Sequence, residues 1–144
     1  MKGITAVAKI LKLEGVEYLS CFPVNPLIDA AIEAGIQPIM TRSERVAVNI
    51  ADGYTRVANG RQGIACAVQS HAGIENSFAG VAQAYADSVP ILMLPLGSSR
   101  REMSVPPNFE AVPSYSHVTK WAAQINFADR VPELMRRAYT LLKM

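Results

Sequence analysis

Cysteine is nearly absent. The 144 residues include two, Cys21 and Cys66, with no Cys-x-x-Cys spacing. Both sit inside apolar runs far apart in sequence, which reads as two buried free thiols of a cytosolic protein. Charge is also sparse, at 18% of residues, with 14 basic against 12 acidic side chains and a formal charge of +2. That balance is too weak and too dispersed to point to nucleic acid or a membrane surface. The basic doublets Arg100-Arg101 and Arg136-Arg137 read as solvated surface. No apolar run is long enough to span a bilayer, and Met1 to Thr5 lack the apolar core of a signal peptide, so the expected location is the cytoplasm. There is no internal repeat and no low-complexity tract.

What is present is apolar and alternating. Half the residues are hydrophobic, which argues against disorder and allows one domain, 1–144, with a core of its own. Apolar residues at helical spacing predict helices from Ile4 to Leu13, stopped by Gly15, and from Pro26 to Ala34, closed at Gly35. A third is expected over Ser43 to Ala58, closed by Asn59-Gly60, and a fourth over Gly73 to Asp87. A C-terminal helix should run from Asp129 to Leu142 with Pro132 in its first turn. Strands are expected at Tyr18 to Phe22, Gln37 to Met40, Gly63 to Gln69, Pro90 to Leu94 and Val118 to Ile125, and residues 97–117 read as a long loop.

Alternating βα units of this length predict a three-layer, doubly wound, mostly parallel α/β sheet. In such sheets ligands sit beyond the carboxyl ends of strands, near helix N-termini. Pro23 to Pro26, Thr41 to Glu44 and Ser70 to Gly73 all fall at that edge. No Gly-rich phosphate loop follows the first strand, which weakens a flavin- or nucleotide-binding reading.

Glu44 can be read in two ways. Thr41-Arg42-Ser43-Glu44 has the form of a capping box, with Thr41 as N-cap and Glu44 at N3. A carboxyl group at a buried strand-to-helix junction can also serve as a proton donor. Burial favours its neutral form, and the helix N-terminus favours the ionised one.

The longer run Arg42-Ser43-Glu44-Arg45-Val46-Ala47-Val48-Asn49-Ile50-Ala51-Asp52-Gly53-Tyr54-Thr55-Arg56 resembles the R-H-E-x-x-A-x-x-M-A-D-G-Y-A-R of thiamine-diphosphate enzymes of the acetolactate synthase and benzoylformate decarboxylase type. Ser70-His71-Ala72-Gly73-Ile74-Glu75-Asn76 is similar to that family's S-G-P-G-x-x-N turn. Tyr85-Ala86-Asp87-Ser88-Val89-Pro90 matches its Y-A-D-S-x-P, and Val118-Thr119-Lys120-Trp121 also matches. The resemblance covers nearly the whole chain. It implies a flavodoxin-like, N-terminal domain that binds the pyrimidine of thiamine diphosphate, here excised from a longer chain. A natural split subunit, as in sulfopyruvate decarboxylase, is the variant.

In that family Glu44 would be the activating acid: bonded to the ring nitrogen N1′, it favours the imino tautomer that deprotonates the thiazolium C2. Pro23, Val24, Ser70, Gly73 and Asn76 would line the cofactor, with Gln69, His71 and Phe109 toward the substrate. A catalytic histidine of the similar benzoylformate decarboxylase falls, by alignment, on Gln69 and not on His71. The sequence departs from the family at Val24, His71 and Ala72, where Gly, Gly and Pro are usual. Pro106-Pro107-Asn108-Phe109-Glu110 keeps only part of an F-Q-E motif, and Glu75 replaces a small residue.

The family's magnesium and diphosphate motif, G-D-G followed later by Asn, has no counterpart. Ala51-Asp52-Gly53 only mimics it from mid-helix. No metal ligand is therefore assigned to this chain. The implied partner is a diphosphate-binding domain of the same or another chain, in a homodimer or homotetramer acting on a 2-oxo acid. The competing reading is a non-catalytic α/β module for binding or assembly.

Overall fold

The computed structural model describes residues 1–59 and 64–144. The expected strand start at Gly63 and the Gly60 half of the helix stop lie outside the described residues. Helix α1 (Gly3–Leu13) leads into β1 (Tyr18–Cys21), and α2 (Leu27–Glu33) into β2 (Gln37–Met40). Next come α3 (Glu44–Val57), β3 (Ile64–Val68), α4 (Ala72–Ala86) and β4 (Met93–Pro95). A short α5 (Ala111–Tyr115) lies within the expected long loop. A 3-10 turn (Ala128–Arg130) then opens α6 (Val131–Leu142), with Pro132 in its first turn. No helix among the described residues is long and apolar enough to cross a membrane.

The four strands are parallel, in the order β2-β1-β3-β4. Side chains alternate across the sheet. Leu19, Cys21, Ala65 and Ala67 pack with α1, α2 and α6 on one face, while Cys66 and Val68 pack with α3, α4 and Tyr115 on the other. The three-layer, doubly wound reading is therefore correct. Burial pushes the Cys66 thiol up to about 12 and the Cys21 thiol to about 11. Both are free and buried, as the sequence indicates.

Helices α3 and α4 lie close together because Gly80 lets them. A Cβ there would meet Val48 Cγ1 at 2.9 Å and Asn49 Oδ1 at 3.1 Å. Their far ends are clasped by Arg56, whose Nε donates to both carboxylate oxygens of Asp52 at 3.1 Å while its Nη2 reaches Asp87 at 2.6 Å. The matching residues of the A-D-G-Y-x-R and Y-A-D-S motifs are thus structural here. Asp52 is held by Arg56 in mid-helix.

Two expectations are corrected. Val118 to Ile125 forms no strand, since it has no ladder partner among the described residues. The fourth strand is also shorter and later than Pro90 to Leu94, because pairing with β3 begins only at Met93.

Candidate functional site

The strand order reverses between β1 and β3: the chain leaves β1 toward α2 on one face and β3 toward α4 on the other. The two connections diverge and leave a crevice at the carboxyl ends. Glu44 reaches the neighbourhood of that crevice from the side, as the first residue of α3.

The capping box does not form. Thr41, one residue past β2, is tied to the end of β1: its amide donates to Cys21 O at 2.9 Å, and its hydroxyl proton is shared between Cys21 O and Ser43 O. Ser43, in extended backbone, is the N-cap and accepts from Val46 N at 3.4 Å. The helix therefore starts two residues later than T-x-x-E suggests, and the Glu44 carboxylate is free to point elsewhere.

It points at the β3–α4 turn. Glu44 is only 6% exposed. Gln69 Nε2 donates to Oε1 at 3.1 Å, and Asn76 Nδ2 donates to Oε2 at 2.7 Å. One amide precedes the turn and the other follows it, so the carboxylate bridges β3 to α4. Gly73 lies beneath this triad. A Cβ there would fall 2.4 Å from Gln69 Cγ and 3.3 Å from Glu44 Oε1, so no larger residue fits without moving both. Glu44, Gln69, Gly73 and Asn76, all sequence-nominated, thus converge.

The other nominated residues are arranged around it. The Gly73 amide donates to Ser70 O at 3.3 Å, closing the turn. His71 is the residue before α4, with φ 53° and ψ −112°, and its side chain makes no capping bond. It makes no side-chain hydrogen bond to the Glu44 triad. Pro23 and Val24 are exposed on the β1–α2 connection, beside a shallow hollow shared with Met40. Val24, a β-branched residue, has φ 69° and is 75% exposed. His71 and Val24 both occupy backbone that favours glycine. Phe109 is not brought to the triad; it packs into the apolar layer around Ile74 and Tyr115. Glu75 is exposed.

Asn25 was not singled out from the sequence. It is 7% exposed; its Nδ2 donates to Val68 O at 2.9 Å and Leu94 O at 3.3 Å, while its Oδ1 accepts from Leu27 N. One side chain thereby fastens the ends of β3 and β4 to the start of α2. The Asn-Pro pair at 25–26 is a turn signal, but the contacts to β3 and β4 depend on the fold.

The profile of the family described as "Thiamine pyrophosphate enzyme, N-terminal TPP binding domain" matches residues 1–126. A probable acetolactate synthase large subunit of Methanocaldococcus jannaschii is 33% identical over 98% of this chain and 24% of its own length. The acetolactate synthase large subunit of Lactococcus lactis is 32% identical over 98% of the chain and 25% of its own length. A glyoxylate carboligase of Escherichia coli is 29% identical, at 99% and 25%. The chain thus spans about a quarter of the length of these relatives. With the parallel sheet and the Glu44 cluster at its switch point, the match identifies the chain as a member of the N-terminal TPP-binding domain family of thiamine pyrophosphate enzymes.

Proposed function

We propose that this chain is the pyrimidine-binding half of a thiamine-diphosphate-dependent enzyme that acts on a 2-oxo acid, as a decarboxylase or carboligase. The observation that carries this reading is the buried Glu44 carboxyl group, pinned by Gln69 and Asn76 at the first residue of α3. An ionised carboxylate offers about four acceptor positions and a protonated one can also donate. Two positions are used, so the group keeps capacity for a further partner. That capacity, with a turn at Gly73 too tight for a side chain, fits the ring end of the cofactor.

When bound, thiamine diphosphate supplies an electron sink for the carbanion formed beside the substrate carbonyl. The work of this chain is narrower. Glu44 holds a proton at the aminopyrimidine N1′ position and releases or recovers it. Gln69 and Asn76 fix the plane of the Glu44 carboxyl group. Pro23, Val24 and Ser70 border the same crevice, and His71 and Gln69 stand on its substrate side. Magnesium and diphosphate fall to a partner domain, in the same or another chain of a homodimer or homotetramer. The length of the relatives supports that division, as do the exposed Val46, Phe78 and Tyr85 on α3 and α4.

The test is Glu44→Gln in the complete enzyme. Exchange of the thiamine C2 proton, followed by NMR, should slow by about 10²–10⁴-fold, with the melting temperature unchanged. Exchange at the normal rate would sink the assignment. It would leave a non-catalytic module, the reading that the non-glycine residues Val24 and His71 at the crevice favour. Native mass spectrometry of the protein from its own cells then reads the partner domain and the subunit number directly.

A further inference from the structure

Between β1 and α2 run Phe22, Pro23, Val24, Asn25 and Pro26, and Asn25 alone among them is buried. It is also the only polar side chain of the connection. A buried amide must find partners for its N–H groups and its carbonyl. Here Nδ2 donates to Val68 O at 2.9 Å and Leu94 O at 3.3 Å, and Oδ1 accepts from Leu27 N at 3.0 Å. These partners fix which end of the amide is which, since a flipped group would turn its oxygen against two carbonyls. They also exclude substitutes. Asp lacks the donors, Ser and Thr lack the reach, and Leu offers neither donor nor acceptor.

The bond to Val68 leads to the cofactor crevice. Val68 C=O and Gln69 N–H belong to one planar peptide unit. Val68 O also accepts from Leu96 N at 2.9 Å. With Asn25, both of its acceptor positions are taken, and the tilt of that plane is set from two sides. Gln69 leaves the plane at its Cα, and its Nε2 donates to Glu44 Oε1 at 3.1 Å. The other donor to Glu44 is Asn76, at 2.7 Å, which comes from α4. Asn25 makes no side-chain bond to that helix among the described residues.

The same residue steadies the opposite wall. Val24, with φ 69°, is β-branched in backbone that favours glycine. Such a conformation persists only where the surroundings over-determine it. Val24 lies between Pro23, whose ring fixes its own φ, and Asn25, which is anchored to β3, β4 and α2.

We propose that Asn25 is a positioning residue of the cofactor crevice, a role that rests on the thiamine-diphosphate reading of Glu44. Through the Val68–Gln69 peptide it aims the Gln69 amide at Glu44, and through the chain it holds Val24 at the other wall. It touches neither cofactor nor substrate.

Asn25→Ser in the complete enzyme tests this, because Ser keeps an oxygen for the Leu27 amide and loses the reach to β3 and β4. In the cofactor-free enzyme, isotope-labelled at Gln and Asn and followed by NMR, the Gln69 Nε2 protons should exchange with solvent about fivefold faster. Those of Asn76 should keep their rate. With thiamine diphosphate bound, C2 proton exchange should slow by about 10-fold or more. Gln69→Ala should slow it at least as much, and the double variant no further, since the two residues act in series.

Equal acceleration at Gln69 and Asn76, or none at either, would overturn the proposal, as would additive losses in the double variant. Asn25 Nδ2 protons that exchange in the unaltered enzyme as fast as those of exposed Asn49 would overturn it without any variant. Normal C2 exchange in Glu44→Gln strikes the functional reading alone. The cofactor-free amide rates then still decide the role of Asn25.

Discussion

The β1–β3 crevice and the β4 edge are built from one sheet, yet they meet opposite fates. At the crevice the Glu44 carboxylate accepts from Gln69 and Asn76, side chains of neighbouring elements, and Gly73 lets them gather closely. At β4 the walls are apolar, the backbone is unpaired and a cavity remains. The contacts of the first region come from this chain's own polar side chains, whereas the outward backbone of the second has no partner among the described residues. The chemistry of the site and the closure of the core are therefore separable properties of the domain.

That separation can be attacked from several directions. The largest stability loss belongs to Gly80→Val. Even one added carbon meets Val48 Cγ1 at 2.9 Å, so unfolding free energy should drop by about 2–3 kcal/mol, read from urea midpoints. A loss below about 0.5 kcal/mol would mean that α3 and α4 are not locked together. His71→Gly should act in the other direction, raising stability by about 1–2 kcal/mol and the melting temperature by several degrees. The gain comes from relieving a backbone with φ 53° and ψ −112°. An unchanged melting temperature would show that His71 carries no strain.

The smallest effect is alkaline. An ordinary thiol titrates near 9, whereas burial holds Cys21 to about 11 and Cys66 to about 12 in the folded chain. Below pH 9 both states keep these protons and stability is full. Above it the unfolded state releases protons that the folded state retains, so stability falls as pH rises from 9 toward 11–12. The loss is about 1 kcal/mol per thiol at pH 10, and Cys66→Ala should partly flatten the slope. A slope unaffected by that change would mean that the thiol is not sealed from solvent.

Much of this arrangement was legible in the residues, for identifiable reasons. Helices α1, α3, α4 and α6 announce themselves through apolar spacing, and β3 through its unbroken apolar run. The parallel order follows from alternation. Gln69, Gly73 and Asn76 were nominated by likeness to known motifs, and they do gather around Glu44. The failures have physical causes. T-x-x-E fits a capping box, but Thr41 bonds back to Cys21 at the end of β1 and Ser43 caps instead, which no local pattern encodes. Val118 to Ile125 carries a strand pattern without a strand, because a ladder needs two sides. Short α5 hides behind Pro113, which a first helical turn tolerates. Asn25 spans from its own loop to β3 and β4, a reach invisible to periodicity.

The outward edge of β4 has a consequence for how such a protein is made. Synthesis proceeds from the N-terminus at about 5–20 residues per second, so β1 to β4 emerge before residues 118–123 and α6, which wall that edge. For seconds an apolar, hydrogen-bond-hungry edge is available to any passing strand, including that of a sibling nascent chain. Pro95 blunts it by withdrawing one donor, and a three-residue length offers little purchase. On the ribosome, those two features are the edge's protection against aggregation.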